Sequence, residues 1–293
     1  MLNTIKYNWH YIFATSNKIA SLFFSIWGFI TLVTPTDETL NFIENTFMRV
    51  PVAILILVSI YVIIILAVSA YSKRQKSIKV FDLHSNHSLY VEYGDLFKRE
   101  IHNERINIAF AGNRCFDTIV DDDLLGSSKI HGIALNRIYE RGERTPENVN
   151  EEIQHNLSLH GYISDKLSRK EKRSGNLKRY EVGAVAEICG INNEQYFILG
   201  LTSFDRELRA YVEKDEYIKA ISSLIKYISN RSQGFPTYMP VIGTGGADVG
   251  SINVLIRFII KTIELYKDEI DCDIHIVVGS KEEKLGLLSL KLL

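Results

Sequence analysis

The sequence predicts an α/β fold, a three-layer α/β/α sandwich, carried behind two transmembrane helices. Two observations carry the prediction. Apolar residues crowd the chain before Tyr71, in two runs without charge. Beyond them, short apolar runs alternate with segments of helical periodicity, as covered central strands and one-faced helices do.

The second uncharged run is the clearer. No charge interrupts Val50 to Ser72, which is enough helix to cross a ~30 Å hydrocarbon core. Its centre, AILILVSIYVIIILAV, is apolar around its whole circumference, unlike the one-sided helix of a soluble core. The first run, IASLFFSIWGFITLVTPT, lies between Lys18 and Asp37. It ends at Pro35 and an acidic loop, without the small-residue cleavage site of a signal peptide. The spans are therefore set at about 19–35 and 50–71, a hairpin within residues 1–75. Tyr11, Phe13 and Trp27 are candidate interfacial anchors. Lys6, Lys18, Lys73, Arg74, Lys76 and Lys79 flank the hairpin, and Asp37, Glu38 and Glu44 outnumber Arg49 in its loop. The positive-inside rule then places both termini and the large domain in the cytoplasm, below an inner membrane crossed twice. With no Asp, Glu, Lys, Arg or His inside either span, a transporter or proton pump is disfavoured.

Residues 80–293 read as one soluble domain. Expected strands are Ser88 to Tyr93, Ile106 to Ala111, Glu181 to Cys189, Gln195 to Thr202, Tyr238 to Gly243 and Asp273 to Val278. Helical spacing runs through Tyr217, Ile221, Leu224, Ile225 and Ile228, and again from Ile252 to Ile263. Thr145-Pro146 marks a helix start. Arg169 to Arg179 reads as a solvated basic loop. A net charge of −1 gives no electrostatic reason to expect nucleic acid. Cys115, Cys189 and Cys272 are too few and too scattered for a disulfide framework or a zinc site, and read as reduced buried thiols.

Three strand ends carry chemistry. In PVIGTGGADVGS an apolar strand runs into Gly243, Thr244, Gly245 and Gly246 before an amphipathic helix. Glycine lets the backbone approach a ligand, and a helix N-terminus presents free N–H groups, so an anion such as a diphosphate suits the turn. An ordinary tight connection has the same composition. The missing Gly-Lys-Ser/Thr excludes a nucleoside-triphosphate P-loop. The second is AFAGNRCFD followed by DDDLLGSSKIHG, in which Gly126, Ser127 and Ser128 open a helix. Two such turns would bridge one pyrophosphate outside the carboxyl ends of the strands. Asp121 to Asp123 form a solvated cluster rather than a metal site, and no His–Cys pattern accompanies His84, His87 or His131. At the third, VEYGDLF, Asp95 either caps a helix start or accepts from an adenine amino group.

In this order the motifs resemble a macro domain, the mixed-sheet fold that recognises ADP-ribose. YGDLF resembles its Gly-Asp motif, IAFAGN the end of its Asn-Ala-Ala-Asn strand, LLGSSKIHG its first phosphate loop and PVIGTGGADVG its second. The resemblance implies ligand contacts at Asp95, Leu96, Ala111, Gly112, Asn113, Gly126, Ser127, Ser128, Gly243, Thr244, Gly245, Gly246, Ala247 and Asp248, with Asp95 on adenine and Asn113 near the distal ribose. Phe110 stands where the first Asn of that strand is usual, and Gly-Ser-Ser replaces the glycine-rich loop. Those departures imply binding without catalysis and no cofactor or metal. A membrane hairpin before such a domain resembles the membrane effectors of type II Thoeris antiphage defence. That resemblance implies a TIR-domain partner that makes an ADP-ribose-derived signal, expected as a histidine conjugate. Binding would then drive homo-oligomerisation and membrane disruption. The alternatives are an anchored ADP-ribosyl hydrolase, with Asn113 placing water and Asp117 or His131 as base, and a scaffold that binds only protein.

Overall fold

The computed structural model describes residues 2–33, 46–74, 77–97, 104–246 and 249–279. The chain divides into two compact units, with the break between residues 76 and 77.

The first unit contains two long helices, α1 (Leu2–Val33) and α2 (Thr46–Arg74). They pack on one another, and Tyr61 donates a 2.5 Å hydrogen bond to Asn17 Oδ1. Each helix has one buried stripe: Ile12, Ser16 and Ala20 on α1, and Val68, Ser69 and Ser72 on α2. Among the described residues one helix segment, Pro51–Ser72, is long and apolar enough to cross a membrane. It falls on the expected second span. The expected first span begins inside α1, but residues 34 and 35 lie outside the described residues.

The second unit is built on a mixed sheet. Its strands are β1 (Ser77–Asp82), β2 (Ser88–Tyr93), β3 (Ile106–Asn113), β6 (Val185–Cys189), β7 (Glu194–Phe204), β8 (Ala210–Tyr211), β9 (Thr237–Pro240) and β10 (Ile274–Val278). A separate hairpin joins β4 (Ser164–Lys166) to β5 (Lys178–Tyr180). The main order is β1-β2-β10-β9-β3-β7-β6, with β8 paired to β7. The five strands from β2 to β7 are parallel, while β1, β6 and β8 are antiparallel to their neighbours. The carboxyl ends of β3, β7, β9 and β10 therefore share one edge of the domain.

Strand alternation assigns the layers. On β3 and β7, Ile106, Ile108, Phe110, Tyr196 and Ile198 join one core with α3 (Ile130–Tyr139) and α4 (Pro146–Leu159). The intervening Phe197 faces the other way and meets Tyr227 of α5 (Lys214–Arg231) edge-on at 5.3 Å. α5 packs against α6 (Ile252–Leu265), whose buried face is Leu255, Ile256, Ile259, Ile260 and Ile263. Helices thus cover both faces. Thr145 caps α4 in a capping box with Asn148, with Pro146 at its first turn, as that dipeptide suggested.

Several expected boundaries move. The strand expected from Glu181 begins at Val185, because Gly183 turns the chain at φ +87°. The strand expected to reach Gly243 stops at Pro240, since Gly243 adopts φ +99°. Cys115 and Cys272 are buried, but Cys189 is exposed at the end of β6. The basic stretch after Ser168 is not simply solvated. Lys172 is fully buried, its Nζ 2.5 Å from Asp117 Oδ2 and 2.9 Å from the Asn176 carbonyl.

Candidate ligand-binding site

At the shared strand edge the end of β3, the loop before α3 and the turn after β9 enclose one cleft of about 520 Å³. Of the residues singled out from the sequence, Ala111, Gly112, Asn113, Gly126, Ser128, Gly243, Thr244, Gly245 and Gly246 line it. Ser127, Asp95 and Leu96 are not among its lining residues, and Ala247 and Asp248 lie outside the described residues. The Ser127 N–H is spent on Asp122 Oδ1 at 2.7 Å. Leu96 is packed in the core, and the Asp95 carboxylate accepts the Phe97 N–H at 3.0 Å in a turn, with no helix starting there among the described residues.

The turn after β9 is shaped by its side chains. Tyr217 donates to the Ile242 carbonyl at 2.9 Å and Thr244 to the Val241 carbonyl at 3.0 Å. A Cβ on Gly243 would stand 2.9 Å from the Tyr217 ring, so φ and space both require glycine there. Gly245 and Gly246 face open space, where backbone can meet a ligand.

The loop before α3 is built differently from its expected form. Asp121 Oδ1 accepts the N–H groups of Asp123 and Leu124, and Asp122 takes φ +63°. The carboxylates of this run thus fold the loop, and among the described residues no group of His, Cys, Asp and Glu could hold a metal. Ser127 and Ser128 do not open the helix. α3 starts at Ile130 after Lys129, with no side-chain cap, so its first N–H groups are left to solvent or ligand. Gly132 sits so close to this loop that a Cβ would overlap the Gly126 carbonyl oxygen.

The end of β3 supplies the floor. Asn113 Oδ1 accepts the Cys115 N–H at 3.0 Å, while its buried Nδ2 has no partner among the described residues. Beside it, His131 is buried against the Phe110 ring, with neither ring nitrogen hydrogen-bonded among the described residues. Burial lowers the His131 pKa from 6.5 to about 4. Phe110 itself is wholly buried, in an aromatic cluster with Phe97 and Tyr196. Sequence reasoning missed the lining given by Leu201, Thr202, Phe204 and Leu208, on β7 and its turn to β8 beside the end of β3, and by Lys129 before α3. No local motif marks it, because tertiary pairing brings those residues to the cleft.

Asp117 does not line the cleft. It is 1% exposed and holds Lys172 with one oxygen and the Asn176 N–H, at 2.6 Å, with the other. Burial raises its pKa, and the Lys172 ammonium opposes the rise.

Residues 89–279 match the profile of the family described as Thoeris protein ThsA, Macro domain. The chain belongs to the ThsA macro-domain family. A curated relative, Thoeris protein ThsA of Bacillus amyloliquefaciens (strain Y2), is 25% identical over 185 residues, covering 60% of this chain and 57% of that protein. This ThsA macro-domain chain thus spans little more than half of its relative's length. Among solved structures, an Oceanobacillus iheyensis macrodomain mutant with ADPR is 15% identical, at a TM-score of 0.48 over 74% of this chain and 97% of that one. The Oceanobacillus iheyensis macrodomain with ADP is 16% identical, at 0.46 over 74% and 95%.

The depressed His131 pKa has a consequence for stability. The unfolded imidazole takes up its proton near pH 6.5 and the folded one only near 4. The contribution is therefore complete above pH 6.5 and is lost as pH falls towards 4, by about 3 kcal/mol. Urea unfolding of wild type and His131→Phe at pH 7 and pH 4.5 isolates this share from that of the carboxylates. A smaller pH effect is expected in the variant; equal pH effects in the two would contradict the assignment.

Proposed function

We propose that this chain is a membrane-anchored effector of antiphage defence whose macro domain binds an ADP-ribose-derived signal. One observation carries the reading. Two glycine-bearing turns, one after β9 and one before α3, meet in a single cleft beside the unpartnered amide of Asn113. Such turns suit a diphosphate, and family membership supports Thoeris defence as the setting. The signal is read as a histidine conjugate of ADP-ribose made by a TIR-domain partner. Asp95 is kept as the adenine acceptor and Leu96, Ser127, Ala247 and Asp248 as neighbouring contacts.

Binding without turnover is the favoured form. Asp117, one of the two candidate bases, is committed to Lys172 away from the cleft. The other, His131, has a pKa of about 4, far below the neutral range in which a general base works well. The apolar segment Pro51–Ser72 supports membrane association. We read it with α1 as a hairpin crossing the inner membrane twice, both termini cytoplasmic. Signal binding then favours an assembled state that breaches the bilayer, which requires tighter binding to that state than to the resting one.

The test uses the full chain in lipid vesicles loaded with a self-quenched dye. The histidine conjugate of ADP-ribose is expected to bind saturably, emerge unaltered, enlarge the oligomer and release dye. Binding with no change in oligomeric state, or hydrolysis of the conjugate, would overturn the reading.

A further inference from the structure

A second recess, of about 390 Å³, lies where α5 passes the end of α4 and the turn before β6. It shares no lining residue with the cleft at the strand edge, and its volume falls within the roughly 300–1,000 Å³ of small-molecule sites. Gly183 lets the turn lie close on α5. A Cβ there would stand 2.7 Å from Ser223 Oγ, and its φ is +87°. Three rings form one end of the recess. His160 closes α4, stacks on Tyr162 with ring centres 5.9 Å apart and tilts against Tyr227 at 5.8 Å. Its Nδ1 donates to the Asn156 carbonyl at 2.8 Å, which leaves Nε2 as an acceptor 3.4 Å from Arg231 Nη2. Tyr227 is fixed in turn by its hydroxyl, which donates to Glu187 at 3.0 Å.

The other end is cationic. Lys219 and Lys226 line it from α5, seven residues and about 10 Å apart along the helix, with Ser223 between them. Both are exposed, and neither has an ion-pair partner among the described residues. Arg231 shares its carboxylate, since Glu187 lies 3.7 Å from it and equally far from Arg105. Glu181 also lines the recess, and it accepts the Ile163 N–H. The lining therefore carries a positive excess, in a chain whose net charge is −1. Solvated lysines are ordinary, so charge alone selects only an anion. The rings narrow the choice: a planar group stacks on them while its phosphate reaches the ammonium groups.

We infer that this recess is a second ligand site, for a mononucleotide. The base lies on the His160 and Tyr162 rings, and the phosphate sits between Lys219 and Lys226. The site goes beyond the ADP-ribose-type reading and does not rest on it.

The experiment titrates uridine monophosphate, uridine and inorganic phosphate into the full chain in detergent, with ADP-ribose present to fill the cleft. Wild type is expected to bind the monophosphate saturably, and uridine and phosphate each at least about 10-fold more weakly. Lys226→Gln, an exposed change on a helix, weakens the monophosphate and phosphate by about 10-fold and leaves uridine and ADP-ribose as they were. Tyr162→Leu weakens the monophosphate and uridine by about 10-fold and leaves phosphate unaltered. A second measurement needs no variant: the wild-type His160 ring-nitrogen resonances move with the monophosphate and stay in place with ADP-ribose. No binding of the monophosphate once the cleft is filled, phosphate held as tightly as the monophosphate, equal affinities in wild type and Lys226→Gln, or His160 resonances indifferent to the monophosphate would each overturn the inference. Failure of ADP-ribose to bind would overturn the functional reading alone, since the Lys226→Gln comparison stands without it.

Discussion

Replacing Lys172 by Met is expected to destabilise the second unit by about 3–5 kcal/mol. The substitution preserves most of the apolar stem and removes only the charge. What it leaves is a carboxylate at 1% exposure with one oxygen still held by Asn176 and the other unanswered. The cost is that of an uncompensated buried charge, which exceeds the net worth of the pair. The loss spreads beyond the pair, because this lock seats the 168–179 segment on the loop before α3. A Cβ on Gly175 would meet both Asp117 and Leu124, and Arg173 pairs with Asp123. Adding Asp117→Asn should recover most of the stability, since an amide oxygen still accepts from Asn176 and carries no charge. Denaturant unfolding of the full chain in detergent measures both variants. A Lys172→Met protein within about 1 kcal/mol of wild type would contradict the buried-charge account.

That lock shows where a reading of sequence stops. Lys172 sits among Arg169, Lys170, Glu171 and Arg173, a composition that looks solvated, and its partner lies 55 residues away. Nothing local distinguishes the one buried cation from its exposed neighbours. The turn after β9 was readable, because Gly243 to Gly246 after an apolar strand and before a periodic helix form a local pattern. Both α5 and α6 were readable for the same reason, since a one-sided apolar face is written in the spacing. β1 was not: it is an edge strand with exposed Ser77 and Lys79, close in sequence to the basic residues that end α2. In the candidate site, Asn113 and the glycines were found by motif. The β7–β8 lining was not, because strand pairing and not sequence proximity makes it.

Gly132→Ala is expected to lower affinity for ADP-ribose by about 100-fold. Within a helix the change should gain up to about 1 kcal/mol of propensity. Here the new methyl would overlap the Gly126 carbonyl oxygen and come within 3.3 Å of the Ser127 Cα. Both neighbours are backbone, so no rotamer change relieves the contact, and overpacking costs about 1–3 kcal/mol. The clash wins. The loop carrying Gly126 and Ser128 must lift from α3, and displacement on the order of 1 Å is enough to cost about two orders of magnitude where geometry matters. Isothermal titration of the two proteins measures the loss; a Gly132→Ala chain that binds as wild type does would show that this loop does not touch the ligand.

Amide hydrogen exchange of the wild-type chain, with and without ADP-ribose, reads the ligand's seat directly. Slowed exchange is expected in the segments around Gly126 to Gly132 and Gly243 to Gly246 together, and absent from both when Gly132→Ala is treated alike. Protection confined to another face, or to one of these turns alone, would contradict a diphosphate held between them.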